Sequence, residues 1–128
     1  MFDTVLFPVD QSRQTMDTTA VALQLAQRHG SRVVLLSVVE EEEGVMHDPV
    51  AVTRVLEQVR ARFQAEGIAC DVFEREGKPA FVICDVADEI NADVIVMGTR
   101  GLTLEADEAP STASRVIQLA PCPVLVVP

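Results

Sequence analysis

The sequence predicts an α/β fold in one domain spanning residues 1–128: a doubly wound sandwich with one five-stranded parallel sheet and four helices. Three observations predict it. Apolar runs of strand length alternate with segments of helical periodicity. Each connection between runs is long enough for a helix, as a parallel crossover requires. Five Phe are the only aromatic residues, so Val, Leu, Ile and Ala must fill the core. That composition suits central strands covered on both faces.

The elements follow in order. Residues 5–9 form a short, nearly continuous apolar run and read as a buried strand, which stops at Pro8-Val9-Asp10. A helix over 15–29 carries Met16, Ala20, Leu23 and Ala26 as its inner face. It ends on Arg28 and His29, with Gly30 as the residue past the cap. Residues 33–39 supply a second buried strand, broken by Glu40-Glu41-Glu42-Glu43-Gly44. Val52, Val55, Leu56, Val59 and Phe63 recur at i, i+3, i+4, i+7 and i+11, which marks a second helix closed by Gly67. Residues 68–74 alternate apolar and polar, as an edge strand with one exposed face does. Pro79 opens a third helix with Ile83, Ala87 and Ile90 inward. Residues 94–97 form the fourth strand, ending at Gly98. Ser111 or Thr112 caps a fourth helix with Ala113, Val116, Ile117 and Ala120 inward. Pro121-Cys122-Pro123 ends that helix, and residues 124–127 form the last strand.

Charge excludes several functions. The net charge is −10, from 20 acidic and 10 basic residues. Nucleic-acid backbones and anionic membranes both call for a basic surface, so neither is expected as a partner. Cys70, Cys84 and Cys122 are dispersed, with no CxxC, and read as reduced thiols rather than a disulfide framework or zinc site. The opening MFDTVLFPVD lacks the basic region and apolar length of a signal peptide, and no run is long enough to span a membrane. A cytoplasmic location is expected.

The residues that could carry chemistry sit at strand ends. Gly98-Thr99-Arg100-Gly101 follows an apolar strand, and glycines let backbone amides approach an anion. The helix start at Ser111-Thr112 offers further free amides. By spacing alone, an ordinary tight turn explains GxxG better than an anion site does. Asp10 ends the first strand, where doubly wound sheets bind ligands, and also fits a plain turn. The dinucleotide fingerprint GxGxxG does not follow the first strand, and the only lysine, Lys78, precedes Pro79, so there is no P-loop. The four consecutive glutamates with His47 and Asp48 read as a solvated acidic loop. Two histidines without a neighbouring nucleophile cannot build a hydrolytic triad, so catalysis is at most slow.

Val94-Ile95-Val96-Met97-Gly98-Thr99-Arg100-Gly101-Leu102 resembles the signature strand and loop of universal stress proteins. Ser114-Arg115-Val116-Ile117, Ala120-Pro121-Cys122-Pro123-Val124-Leu125-Val126-Val127 and the opening Pro8-Val9-Asp10-x-Ser12 do so too. The resemblance covers essentially the whole chain. It implies strand order 3-2-1-4-5, which brings Asp10 and Gly98 onto adjacent strands. It implies a stress-response regulatory protein that binds ATP or AMP, with Mg²⁺ or Mn²⁺ only alongside the nucleotide and at most weak ATP hydrolysis. The alternative in the same family is a nucleotide-free dimeric interaction module. The family's binders carry G-x2-G-x9-G-[S/T]. Gly98, Gly101 and Thr112 match it, and Ser111 replaces the third glycine. By that match Asp10 and Val38 contact ribose and adenine, and Gly98, Gly101, Ser111 and Thr112 contact phosphates. Pro8, Val9, Met97, Arg100 and Ala113 complete the implied site.

Two departures bear on affinity. Ser111 adds a Cβ where the family's backbone approaches phosphate. Glu105, Asp107 and Glu108 crowd the same loop against one cation, Arg100. A like-charge pair at 4 Å costs roughly 4 kcal/mol at a protein surface. Without a divalent cation, these carboxylates would weaken triphosphate binding by about a hundredfold or more. The loop 102–110 has no periodic apolar residues and is expected to be mobile without ligand.

The last strand predicts a homodimer. Val124-Leu125-Val126-Val127 is apolar on both faces and no charge follows Arg115. An exposed apolar edge invites pairing, and twofold antiparallel pairing closes it. No later segment is expected to cover this edge. The resemblance implies the same dimer.

Overall fold

The computed structural model describes residues 1–9, 14–39, 49–99 and 112–128, including all their side chains except those of Gln14 and Pro49. Nine elements alternate along the chain: β1 (Thr4–Pro8), α1 (Gln14–His29), β2 (Arg32–Val39), α2 (Pro49–Ala65), β3 (Cys70–Glu76), α3 (Pro79–Glu89), β4 (Val94–Gly98), α4 (Thr112–Leu119) and β5 (Val124–Val127). The strands form one parallel sheet in the order β3-β2-β1-β4-β5, as expected.

Strand residues of alternate parity divide between two core layers. Val5, Phe7, Val33, Leu35, Val94 and Val96 face α1 and α2, where Ala22, Ala26, Leu56, Val59 and Phe63 meet them. Leu6, Val34, Leu36, Ile95 and Met97 face α3 and α4, against Ala80, Ile83, Val86, Ala87, Ala113 and Val116. The central strands are therefore apolar on both faces, which is why they read as continuous runs rather than alternations.

Two expected helix faces differ from those observed. In α1 the buried residues are Thr15, Thr18, Thr19, Ala22 and Ala26, whereas Met16 is 56% exposed. Thr19 Oγ1 donates to the Thr15 carbonyl at 2.5 Å, so its hydroxyl is satisfied by the helix's own backbone and can be buried. Val21, Leu23 and Leu25 pack on the flanks of the layer instead of at its centre. In α4, Val116 takes the inner position, and Ile117, 100° further round, turns outward and is 54% exposed.

At the amino ends of the strands, the chain is fastened by reciprocal bonds. The Thr4 amide donates to Asp93 Oδ2 and the Asp93 amide donates to the Thr4 carbonyl, each at 2.8 Å. Buried Ser31 donates its hydroxyl to the Phe2 carbonyl. At the opposite end, the strand exits lead toward the candidate site.

Candidate functional site at the carboxyl ends of β1 and β4

Chain reversal of strand order places a switch point between β1 and β4: β2 and β3 extend to one side, β5 to the other. The hydrogen-bond ladders show what happens there. The β1–β2 register runs the length of β1, from Thr4↔Arg32 to Pro8↔Leu36. The β4–β5 register likewise runs to the end, Gly98↔Val127. Between β1 and β4, only Val5↔Val94 and Leu6↔Ile95 pair. Beyond Leu6 and Ile95 the β1–β4 pairing stops, while each strand stays paired with its outer neighbour. The Val9 amide donates to the Leu36 carbonyl at 2.8 Å, and the Thr99 amide donates to the Val127 carbonyl at 3.0 Å.

Pro8 explains the parting. Successive amides of a strand point to opposite sides. Thr4 donates toward Asp93, on the β4 side, and Val9 donates toward β2. Position 8 shares the parity of Thr4, so its amide would serve the β4 ladder. Proline has no amide hydrogen, and that ladder stops where Pro8 would have continued it. A proline at the end of a central strand is thus a device that opens a crevice at the switch point. The sequence marks Pro8 only through its family match; the cue that reveals its role is a proline in a strand flanked on both sides.

The lining is apolar on the side of α3 and α4. Pro8, Val38 and Met97 share the parity of Leu6, Leu36 and Ile95, whose side chains face that layer. Pro8 and Val38 are half-buried and Met97 is buried. Val9 faces the other layer and is buried. Gly98 is the last residue of β4, and Thr112 the first of α4, whose opening amides have no partner within the helix. The Ala113 side chain is fully buried in the core, so only its backbone is available to a ligand. Asp10, Arg100, Gly101 and Ser111 lie outside the described residues, as do the acidic loop 102–110 and its expected mobility. The described structure thus gathers Pro8, Val9, Val38, Met97, Gly98 and Thr112 at one end of the sheet. Among the described residues no cluster of three or more His, Cys, Asp or Glu could hold a metal ion. No described helix is long and apolar enough to cross a membrane.

A cavity of about 380 Å³ opens at the amino ends of β2 and β3, lined by Gln27, Gly30, Arg32, Glu66 and Gly67 among others. Gln27, Glu66 and Arg32 there already have partners. Gln27 Nε2 donates to Glu66 Oε2 at 3.1 Å, and Arg32 donates to Thr4 Oγ1 at 3.3 Å while lying 3.9 Å from Asp71. We place the site at the switch point, not in this cavity, because there the β1–β4 pairing stops short of the strand ends.

The chain is similar to known proteins along its whole length. The model of the universal stress protein family matches residues 1–128. A universal stress protein of Synechocystis sp. is 50% identical over 136 residues, covering 100% of this chain and 87% of the relative. A universal stress protein solved in complex with cAMP superposes with a TM-score of 0.82 at 20% identity, over 98% of this chain and 97% of that one. The universal stress protein from Archaeoglobus fulgidus in complex with dAMP gives 0.80 at 22% identity, over 100% of both chains.

Proposed function

The chain belongs to the universal stress protein family, and from that premise we propose that it binds an adenine nucleotide, ATP or AMP, between the carboxyl ends of β1 and β4. The parted β1–β4 ladder carries this reading. It leaves an apolar wall of Pro8, Val38 and Met97 for a base, beside the backbone of Gly98 and the amino end of α4 for phosphate. Asp10 would accept hydrogen bonds from ribose, and Arg100, Gly101 and Ser111 would complete the phosphate side. The two nucleotide complexes among its structural relatives, with cAMP and dAMP, share adenine, a sugar and one phosphate. The three carboxylates at Glu105, Asp107 and Glu108 favour the same choice here: one phosphate meets less repulsion than three, and ATP requires Mg²⁺ or Mn²⁺ to screen it. Turnover is little or none, since neither of the two histidines has a nucleophile beside it in the sequence. The role that fits is a cytoplasmic stress-response regulator, one domain over residues 1–128.

Calorimetric titration with AMP, and with ATP in the presence and absence of Mg²⁺, tests the reading. AMP binds, and Mg²⁺ strengthens ATP. At a hundred times the dissociation constant, the ligand adds about 2.7 kcal/mol to stability. Pro8→Ala restores an amide to the β4 side, lets the ladder continue, and lowers affinity about tenfold, or about 1.4 kcal/mol. No heat with any adenine nucleotide would leave the second reading, a nucleotide-free dimeric module.

That second reading shares one feature with the first. We propose that two copies pair through β5, where Leu125 is 39% exposed on the face of the sheet that Val96 shares, opposite α4. Light scattering at micromolar concentration should give twice 13.9 kDa.

A further inference from the structure

The two walls of the crevice are braced by strands of different standing. On the β1 side, Pro8 pairs with Leu36, and the Val9 amide donates to the Leu36 carbonyl at 2.8 Å. The brace there is β2, eight residues long and inside the sheet, itself paired with β3 from Val33↔Cys70 to Val39↔Glu76. On the β4 side, pairing with β1 ends at Ile95, while Met97↔Val126 and Gly98↔Val127 continue with β5. The Thr99 amide adds a last rung, to the Val127 carbonyl at 3.0 Å. The brace there is β5, four residues long and at the edge of the sheet.

Short edge strands open locally at lower cost than strands paired on both sides. The rungs at Gly98 and Thr99 close the β4–β5 ladder, so they part first when the end of β5 frays. Gly98 is also the residue whose backbone faces phosphate in the site described above. What steadies β5 therefore steadies the phosphate side of the crevice. Backbone parity shows where a steadying partner attaches. The Pro123 and Val127 carbonyls accept from β4. The N–H and C=O of one strand residue point the same way, so Leu125 also turns its backbone toward β4, and Val124 and Val126 turn theirs to the open edge. That edge is apolar and carries no charge, and Leu125 is exposed beside it.

We propose that β5 couples the crevice to self-association: a second copy paired through Val124 and Val126 holds Gly98 where it binds phosphate, and a bound phosphate in turn strengthens the pair. The coupling rests on both readings given above, the adenine-nucleotide site and the β5 pair. Pairing gives β5 a neighbour on each side. Fraying of its end then breaks two ladders instead of one, so the closed form gains population. A nucleotide whose phosphate engages the Gly98 backbone binds the closed form better, and each equilibrium shifts the other by the same factor per site. β2 already has a neighbour on each side, so the base and ribose side of the crevice gains nothing from association. The coupling therefore belongs to the phosphate: AMP carries it and adenosine does not.

The test measures binding of radiolabelled AMP to the wild type above and below its dimer dissociation constant, which sedimentation fixes, and to Leu125→Lys and Val126→Pro. Proline at position 126 removes an amide on the open edge and leaves the β4–β5 ladder its donors and acceptors. Dilution of the wild type needs no variant, so a poorly folded variant does not decide the result. The dimer should bind AMP about tenfold more tightly than the monomer, and saturating AMP should tighten the dimer about a hundredfold, since each dimer holds two sites. Adenosine should show less than about a twofold difference. Hydrogen exchange of the Thr99 amide should slow on association and slow again with AMP, while association leaves the Val9 amide unchanged. Equal AMP affinity in monomer and dimer, an equal factor for adenosine, or Thr99 exchange indifferent to association would overturn the coupling and leave the nucleotide site standing. A wild type that binds no AMP at any concentration would instead overturn that site, and one that stays monomeric the β5 pair, and the coupling with either.

Discussion

The sheet has two edges, and they are built on opposite plans. β3 is seven residues long and carries Asp71, Glu74, Arg75 and Glu76. β5 is four residues long and carries none, with Leu125 39% exposed. Both strands pair with one neighbour only, so both present unpaired backbone groups. Charge on an edge discourages a second chain from docking there, because docking would strip water from the charge. The β3 edge is thereby closed to association and the β5 edge left open to it. The difference also extends to the core. The first residue of β3, Cys70, is 5% exposed beneath α2, while Cys122 at the foot of β5 is half-buried.

The largest effect should come from giving β5 what β3 already has. Leu125→Lys places a charge at the most exposed position of the strand, where the monomer loses little buried area. The scattering mass should fall from twice 13.9 kDa to 13.9 kDa at micromolar concentration. A mass of 27 to 28 kDa that persists in this variant, roughly twice the chain, would move the interface elsewhere and end the contrast between the edges. The reverse change, neutral residues at Asp71, Glu74 and Glu76, should promote association through β3.

Next in size is the exit from β3. Gly77 has φ 138°, in the region that L side chains avoid, and a Cβ there would lie 2.8 Å from Val82 Cγ2. Valine is stiff about χ1 and cannot swing clear. The Gly77 amide also donates to the Val39 carbonyl at 3.0 Å, closing the β2–β3 ladder. Gly77→Ala should cost about 1–3 kcal/mol, read as a lower urea midpoint with the slope of the transition unchanged. A midpoint equal to the wild type would show that the β3 side relaxes as freely as the β5 side.

The buried foot of β3 gives an effect of similar size, visible only in alkali. Burial pushes the Cys70 thiol up from 9.0 to about 11, with Asp71 adding to the rise and Arg60 opposing it. The folded state therefore holds its proton more tightly than the unfolded chain. The resulting stability is fully present below about pH 9 and is lost as pH rises toward 11. Two pH units correspond to about 2 kcal/mol after allowance for residual structure in the unfolded chain. The chain has no tyrosine to confuse the titration. Cys84 and Cys122 shift in the same direction. Denaturation at pH 8 and pH 10.5 should show the loss in the wild type, and Cys70→Ala should remove most of it.

These contrasts also mark what could be read from the sequence. Element order and the parallel sheet were legible because buried strands are unbroken apolar runs and α2 keeps strict helical spacing from Val52 to Phe63. The inner face of α1 was not legible. Hydrophobicity points to Met16, yet Thr15, Thr18 and Thr19 occupy the buried face, because a threonine hydroxyl can be satisfied by its own helix. Ile117 looked inward for the same reason that Val116 is inward; only the packing of α4 on α3 and the sheet separates them. At the candidate site, the family match pointed to Gly98 and Thr112, but nothing in the sequence pointed to the way Pro8 parts β1 from β4. That mechanism depends on which neighbour each amide faces, a property of the assembled sheet.

The smallest expected effect tests whether charge on β3 holds the monomer together or only keeps other chains away. Arg75 does three things at once: it donates to Glu89 at 3.1 Å, donates to the Glu74 carbonyl at 3.2 Å, and covers the Phe73 ring at 4.9 Å. The Arg75 and Glu89 side chains are 42% and 57% exposed, so solvent screens most of their attraction, and such a pair contributes between nothing and about 1 kcal/mol. The contact with the ring adds about 0.5–1 kcal/mol at an exposed site. Arg75→Ala should therefore lower stability by about 1 kcal/mol, and Arg75→Lys by less, since lysine keeps the charge but loses the planar stacking. Glu89→Gln separates the two contributions. If it leaves stability unchanged while Arg75→Ala does not, the stem and guanidinium of Arg75 act by covering Phe73. The β3 edge would then be closed by an arginine lid as well as by charge, a cover that β5, apolar from Val124 to Val127, cannot build for itself.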